Sequence, residues 1–245
     1  MADIKNQKFI LWFPTIVGIS LIISACIGAI AFYKSKTLDD YLSVTGSAST
    51  QIVSDNAKFS GDFSRIAKIS DLKEGYSLMA KDLLSVKAFL KTQGINENDV
   101  TISPVSMMEN YKYNNNDDSE KEYTLRQQVE ISSPDTAKIT ALAQATQALI
   151  NKGVIFSTNP LEYYYTKLPD LRVSLLSDAI KDAMARAGKL AESTGKKVGD
   201  LKAAASGVVQ VLPANSLEVS DYGTYDTSKI NKTVMVTVKA SFRLR

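Results

Sequence analysis

The sequence predicts an α+β protein. An N-terminal transmembrane helix is followed by a ferredoxin-like βαββαβ unit and a further αββ unit, joined by the first strand. Two observations predict this architecture. The first is the stretch from Phe9 to Tyr33, which holds 25 residues without a charge. The second is the pattern of residues 41–245, where segments with apolar residues at every other position alternate with segments whose apolar residues recur every three or four positions.

The first predicted element is a transmembrane helix over residues 9–33, after a short tail at residues 1–8 and before a linker at residues 34–40. Twenty helical residues span about 30 Å, the thickness of the hydrocarbon core of a bilayer. Pro14 is expected in the first helical turn, where a missing N–H is tolerated. Aromatic residues are expected at the two membrane interfaces: Trp12, Phe13, Phe32 and Tyr33.

This stretch has two other interpretations. A cleaved signal peptide has an apolar core of about 7–15 residues, and this stretch is longer. Residues 23–26, Ile-Ser-Ala-Cys, are similar to a lipobox, so a lipoprotein lipidated at Cys26 remains an alternative. Seven further apolar residues follow Cys26 where a polar tether is usual. We therefore favour a retained single-pass anchor, with the tail in the cytoplasm and the C-terminal domain exported.

Small residues recur every four positions along the predicted membrane helix, at Ser20, Ser24 and Gly28. Such a stripe lets two membrane helices approach closely. Because small residues are common in membrane helices, the stripe indicates only a possible helix–helix contact.

The ferredoxin-like unit is predicted at about residues 57–167, after a first strand that ends near Thr50. A strand at residues 55–70 precedes a helix capped by Ser70 and ended by Gly94. The predicted buried face of that helix is Leu72, Tyr76, Met79, Leu83, Val86 and Leu90. Two strands then form a hairpin whose tip is the polar segment Asn114–Glu120, for which a calcium loop is a weak alternative because the spaced ligands are missing.

The unit ends with a second helix and a strand. Ser133 is the expected cap of the helix, with Pro134 at its first position and Gly153 past its end. The strand at residues 154–167 is expected to be interrupted at Asn159–Pro160.

The αββ unit is predicted at about residues 169–245. Its helix has a broad apolar face made of Leu171, Leu175, Leu176, Ala179, Ile180, Ala183, Ala187, Leu190 and Ala191. Gly195 is expected to end the helix. Two strands come after it, and the last alternates Val234, Val236, Val238 and Ala240 on one face.

Composition excludes several kinds of site. The chain has no histidine and a single cysteine, Cys26, so Ser-His and Cys-His nucleophile pairs and zinc or haem sites ligated by His or Cys are excluded. A net charge of +3 without a basic run gives no reason to expect a nucleic-acid partner. We predict no catalytic, cofactor-binding or metal-binding residue, and hence a protein that is not an enzyme.

Three local patterns resemble functional sites but have simpler interpretations. The S-x-x-K spacing at Ser193–Lys196 lacks the companion motifs of serine acylases. Asp178 and Asp182 lie one helical turn apart and are interpreted as a solvated helix face. Of the consecutive tyrosines 163–165, strand alternation places at least one in the core.

Three segments carry a resemblance to a known family. VTGSAST, EYTLRQQVEI and SDAIKDAMARAGKLAESTGKKVGDL are similar to segments of the SIMPL-domain family, which includes bacterial periplasmic immunogenic proteins. The resemblance covers residues 41–245. It implies an α+β subunit exported to the bacterial envelope, with assembly into homo-oligomeric rings or cage-like bodies, and it supplies no catalytic residues.

The sequence supports three functional hypotheses. The first is a scaffold in the bacterial inner membrane whose periplasmic SIMPL-like domain assembles with copies of itself. The second is a periplasmic module that binds a peptide, lipid or small molecule between its two units. The third is a hydrolase, and it is the least supported. Expected partners are the protein itself and the bilayer, reached through residues 9–33; a protein client is unknown.

Overall fold

A computed structural model describes residues 3–37, 41–111, 120–216 and 220–245. Within the first helix it describes the side chains of Trp12 and of residues 14–34. The chain is α+β, with an N-terminal apolar helix and two sheets. The linker residues 38–40 and residues 112–119 of the predicted hairpin tip lie outside the described residues.

Helix α1 runs from Asp3 to Thr37. It is longer at both ends than the predicted span, so Pro14 lies inside the helix and not in its first turn. This expectation was wrong because the polar residues before Phe9 continue the helix. A proline inside a helix removes one backbone hydrogen bond, which membrane helices tolerate when neighbouring groups compensate.

The chain divides into two compact units. Unit 1 contains Met1–Ser47, Ala179–Ser206 and Val238–Arg245; unit 2 contains Ala48–Asp178 and Gly207–Thr237. Strands β1 (Tyr41–Val53), β8 (Val198–Pro213) and β10 (Asn231–Leu244) contribute to both units, and so does helix α5 (Leu168–Glu192).

Unit 2 holds a six-stranded sheet. Its strands are β2 (Asn56–Lys68), β3 (Val100–Ile102), β4 (Ser106–Asn110), β5 (Glu122–Ser133), β6 (Phe156–Thr158) and β7 (Glu162–Tyr164). The order is β3-β5-β2-β6, with β4 also beside β5 and β7 also beside β2. Strands β2 and β5 form its centre and pair antiparallel from Ala57↔Ser133 to Lys68↔Glu122.

Three helices accompany this sheet: α2 (Leu72–Thr92), α3 (Thr136–Ala145) and α4 (Gln147–Ile150). Alternate residues of β2 and β5 are buried, as the two-residue period predicts. The largest fully buried side chains of this core are Phe59, Phe63, Met79, Leu125, Ile131, Ile139, Leu142 and Leu149. Burying one such side chain is worth about 1.5–3 kcal/mol.

The predicted hairpin is confirmed, because β3 and β4 both pair antiparallel with β5. Its first strand is broken between Ile102 and Ser106. There Ser103 donates its N–H to the carbonyl of Gln128 at 2.9 Å, and its hydroxyl accepts from the N–H of Gln128 at 2.9 Å. The predicted interruption of the later strand is also confirmed, since β6 and β7 flank Asn159–Pro160.

The predicted caps of the two helices were wrong. Helix α2 begins at Leu72 after Asp71, whose side chain makes no capping bond, and Ser70 lies in the preceding turn of 3₁₀-helix. Helix α3 is capped by Asp135, which accepts from the N–H of Lys138 at 2.9 Å, and not by Ser133. In each case an aspartate one or two residues downstream occupies the cap position, and in α3 its carboxylate accepts the bond that a serine hydroxyl could also accept.

The predicted helix ends are confirmed. Gly94, Gly153 and Gly195 have φ values of +73°, +80° and +73°, the left-handed conformation that follows a helix end. Two predicted core positions were wrong: Tyr76 is 43% exposed and Leu190 is 51% exposed. Each lies at the border of the apolar face of its helix, next to the solvent-exposed face.

The second sheet has four strands in the order β1-β10-β8-β9, where β9 is the short strand Thr224–Tyr225. Strand β9 pairs parallel with β8 at Gln210 and Val211 only. The predicted face of the last strand is confirmed, since Val234, Val236, Val238 and Ala240 are all buried, and Phe242 extends it. Helix α5 buries one residue per turn: Leu175, Ala179, Ala183, Ala187 and Ala191.

Candidate functional site

The first candidate feature is helix α1. Residues 14–34 are long and apolar enough to cross a membrane, and none of that span is buried. Trp12, Phe32 and Tyr33 are exposed near its ends, where aromatic side chains suit a membrane interface; the side chain of Phe13 lies outside the described residues. By length and composition, the helix could be a membrane anchor or a signal sequence.

The predicted stripe of small residues lies on one face of this helix. Ser20 and Ser24 are exposed, the hydroxyl of Ser20 donates to the carbonyl of Val17 at 2.9 Å, and Gly28 has open space around it. Cys26 is exposed within the same helical span. A packing role for the stripe and lipidation of Cys26 stay predictions.

The second feature is a close contact inside unit 1 between β1 and α5. A Cβ added to Gly46 would lie 2.2 Å from the carbonyl oxygen of Ala179 and 2.4 Å from the N–H nitrogen of Ala183. Only glycine in the strand and alanine in the helix allow this approach. The small residues of the VTGSAST and SDAIKDAMARAG segments are therefore explained by packing.

Asp182 reinforces this contact. Its carboxylate accepts from the N–H of Ser47 at 2.8 Å and pairs with Arg186 at 2.8 Å. The hydrogen bond from Ser47, followed by that from Arg186, lowers the pKa of Asp182. The interpretation of Asp182 as part of a merely solvated face was incomplete, because its partner lies 135 residues away in sequence.

The third feature is the middle of β8. Residues 200–208 are consecutively exposed, on both faces of the strand. The short β9 flanks β8 only at Gln210 and Val211, so between residues 198 and 209 β8 has one neighbouring strand among the described strands. An edge strand of this length is a template on which another strand can pair. We call residues 200–208 the exposed β8 segment.

The charged side chains of unit 2 form pairs that hold the fold. Two nitrogens of Arg65 donate hydrogen bonds to the carboxylate of the buried Asp82 at 2.6 and 2.9 Å. Arg65 also donates to the backbone carbonyl of Gly153 at 2.8 Å. Arg126 pairs with Asp62 at 2.5 Å. The hydrogen bond and charge of Asp82 raise the pKa of Arg65, as expected for a structural ion pair.

Lys232 and Asp226 form a second kind of pair in unit 2. Lys232 is fully buried and donates its ammonium to the backbone carbonyl of Asp226, with a carboxylate oxygen 3.4 Å away. Burial lowers the pKa of Lys232, although Asp226 opposes the shift. The Asp226 carboxylate also accepts the N–H groups of Ser228 and Lys229, so it is occupied in holding a turn.

Among the described residues, no group of three or more Asp, Glu or Cys side chains could hold a metal ion. Tyr163 is the buried member of the tyrosine run, and its hydroxyl lies 3.0 Å from that of Thr140. Ser193 donates its hydroxyl to the carbonyl of Leu190 at the end of α5, and Lys196 follows the turn at Gly195.

Unit 2 also contains a cavity of about 270 Å³ between the end of α2 and β3. Its floor is aliphatic and its rim is polar; the lining is Lys87, Leu90, Lys91, Ile95, Glu97, Asn98, Val100 and Ile102. The volume is slightly below the range of about 300–1,000 Å³ typical of small-molecule pockets.

Comparison with known proteins identifies the family. A family model named SIMPL, described as a protein of unknown function (DUF541), matches residues 42–242. The chain belongs to the SIMPL family. This confirms the resemblance predicted from the sequence, and the match includes both the contact of β1 with α5 and the exposed β8 segment. None of the curated proteins compared with the chain matches it.

Proposed function

We propose that this SIMPL protein is a non-enzymatic, membrane-anchored scaffold of the bacterial envelope. Helix α1 holds it in the inner membrane as a single pass, with a short cytoplasmic tail. The SIMPL domain lies in the periplasm and assembles with further copies into a homo-oligomeric ring or cage-like body. Within that domain, residues 57–167 act as a ferredoxin-like unit, an assignment supported by the sheet order β3-β5-β2-β6 and by helices α2, α3 and α4 beside it.

The observation that carries the proposal is the exposed β8 segment. An accessible strand edge is a template on which a further strand can pair, and proteins that stay monomeric shorten, charge or cover such edges. This segment is nine residues long and contains one charge of each sign, Asp200 and Lys202. In a closed ring each copy supplies one edge and covers another, so no edge stays open.

The retained anchor is supported by the unbroken helix. Cys26 lies eight residues before Lys34, in the middle of the apolar span, whereas a lipidated cysteine becomes the first residue of the mature chain. Replacing Cys26 with serine should therefore leave membrane association unchanged. A mature chain that begins at Cys26 by mass spectrometry would support the lipoprotein alternative instead.

The test of assembly is the mass of the full chain in mild detergent, measured by mass photometry. We expect one discrete large species. The double variant Ala203→Lys/Ala205→Lys adds two charges to the exposed β8 segment and should shift the mass toward that of one chain. Leu84→Lys, at an exposed position on α2, is the control and should leave the mass unchanged. A monomeric full chain would refute the scaffold.

A second candidate is a binding module, and the cavity between α2 and β3 is the observation that favours it. Its aliphatic floor suits an apolar group and its two lysines suit an anion. If the full chain is monomeric, this cavity is the first place to look for a ligand, using thermal shift with medium-chain carboxylates. Substituting Leu90, which lines the floor, with a larger side chain should abolish any such shift.

A further inference from the structure

We propose that one end of unit 1 is a docking surface for anionic lipid headgroups of the same bilayer that holds helix α1. This surface consists of Lys197, Lys202, Arg243 and Arg245, and we call it the basic end. The proposal rests on the proposed function in one respect, the retention of helix α1 as an anchor.

The first step is where the strands of unit 1 begin and end. Ser43, near the start of β1, lies with its hydroxyl 3.3 Å from that of Ser241, near the end of β10. Lys197, just before β8, and Arg245, just after β10, exchange two backbone hydrogen bonds of 2.7 and 2.8 Å. The entry of the chain from the anchor thus lies beside the start of β8 and the end of β10.

The second step is the length of chain that joins this end to the membrane. Lys34 closes the apolar span, and helix α1 continues to Thr37, about 4.5 Å further at the helical rise. Four residues then lead to Tyr41, at most about 14 Å even when fully extended. The start of β1 is therefore held within roughly 19 Å of the end of the apolar span, of which the headgroup layer itself occupies about 5–8 Å.

The third step is charge. Lys197, Lys202, Arg243 and Arg245 are all exposed. On β10 the neighbouring Phe242 is only 2% exposed, so Arg243 projects away from the core. The ammonium of Lys202 lies 4.6 Å from the ring centre of Tyr41, which brings a cation directly to the point of entry.

Four acids lie near the basic end in structure or sequence, and two of them are paired with cations. Asp200 pairs with Arg245 at 2.6 Å, and Glu192 pairs with Lys189 on α5. Two further acids, Asp39 and Asp40, belong to the linker sequence. Lys34 and Lys36 accompany them at the membrane end, so the linker does not reverse the sign of the basic end.

The distance from the anchor and the positive charge of the basic end together identify the anionic bilayer as its binding partner. Each Lys or Arg close to an anionic bilayer favours association by about fivefold, and the attraction fades within a Debye length of about 8 Å. The tether keeps the basic end near the headgroups. An anionic bilayer is therefore a partner of opposite charge that lies close to the basic end at all times. Docking would fix the orientation of unit 1 over the membrane, which the tether alone is not required to do.

The experiment uses the full chain reconstituted in vesicles. A Cys26→Ser/Ser43→Cys variant is labelled from outside with a membrane-impermeant dye, and a small fraction of the lipid carries a nitroxide on its headgroup. Ser43 is exposed beside Ser241 and lies outside the exposed β8 segment. Quenching is compared between phosphatidylcholine vesicles and vesicles that contain phosphatidylglycerol as a minor anionic component, at low and high salt.

We expect phosphatidylglycerol to increase quenching and salt to reverse the increase. Neutralising Lys197, Lys202 and Arg243 to glutamine should lower the ratio of docked to undocked chains by about two orders of magnitude. The charge-preserving variant K197R/K202R/R243K should restore it. The matched control is K73Q/K81Q/K152Q, which removes the same charge from exposed positions of unit 2 outside the cavity and should change nothing.

Three results would overturn the proposal. One is equal quenching in both kinds of vesicle, and another is quenching in the triple glutamine variant equal to that of the parent. The third is quenching that follows the protein-to-lipid ratio and ignores phosphatidylglycerol, which would assign the basic end to an acidic surface of a second copy. Release of the chain by alkaline carbonate would instead refute the anchor of the proposed function, so the two failures are distinguishable.

Discussion

Replacing Gly46 with alanine should strongly destabilise the SIMPL domain. The added Cβ would lie 2.2 Å from the carbonyl oxygen of Ala179 and 2.4 Å from the backbone nitrogen of Ala183. Real contacts of this kind are almost never shorter than 3.0 Å, so strand β1 and helix α5 would have to separate by nearly 1 Å. The two closest atoms belong to the backbone of a helix and cannot turn aside.

The size of the effect can be estimated. Overpacking a close contact typically costs about 1–3 kcal/mol, and a clash with backbone on this scale belongs at the upper end. For a chain of this size, about 3 kcal/mol corresponds to a fall in Tm of roughly 6–12 °C. The hydrogen bond from Ser47 to Asp182 lies next to the contact and should weaken with it.

The measurement is thermal unfolding of the full chain in mild detergent, followed by circular dichroism. Gly188→Ala is the matched control, because Gly188 lies within α5 and has no atom within 4 Å of an added Cβ. Alanine is favoured over glycine in a helix by about 0.5–1 kcal/mol, so the control should raise Tm slightly. Adding Ala183→Gly to Gly46→Ala should not restore stability. A Tm for Gly46→Ala equal to that of the parent would refute the packing argument.

Two further predictions concern unit 2. Arg65→Ala leaves the 5%-exposed Asp82 without its guanidinium, which should cost about 3–5 kcal/mol in urea unfolding; an Arg65→Ala chain as stable as the parent would contradict this. Burial raises the pKa of Asp55, but hydrogen bonds from the N–H and hydroxyl of Thr166 outweigh it and lower the pKa below 3.8. The stability from this carboxylate is therefore present above pH 3.8 and lost as the pH falls through the folded-state pKa. The Tm advantage of the parent over Asp55→Asn should be full near neutral pH and shrink below pH 3.8, and an advantage that persists unchanged in stronger acid would argue against it.

The helix ends, which depend on only a few neighbouring residues, were predicted correctly from the sequence. Gly94, Gly153 and Gly195 each end a helix in the left-handed conformation, because the backbone geometry of a helix end is decided by the residue that occupies it. The caps at Ser70 and Ser133 were predicted wrongly. Asp135 caps α3 in place of Ser133, and α2 begins after Asp71 without a capping bond from that side chain. Local preference alone does not choose between neighbouring residues that can each cap a helix.

Contacts between distant parts of the chain could not be predicted. Arg65 and Asp82 lie on a strand and a helix, and Ser47 and Asp182 are separated by 135 residues. The sequence marks Gly46 only as a residue where a turn is favoured, whereas its role is to admit helix α5. A periodic pattern shows which face of an element is apolar, but not which element will cover it.

The exposed β8 segment is another feature whose neighbours could not be predicted from the sequence, and the proposed function depends on it. Its sequence, Asp-Leu-Lys-Ala-Ala-Ala-Ser-Gly-Val, has small side chains at five consecutive positions, 203–207. Burial of such side chains stabilises a sheet very little, because the gain scales with apolar area. Strand β10, in contrast, buries Val234, Val236, Val238 and Phe242. The segment therefore depends on backbone hydrogen bonds for its place in the sheet, and small side chains on both faces are what allow another strand to approach closely. A segment that contributes little to the core of its own chain, yet keeps an extended and accessible backbone, is what the proposed assembly requires.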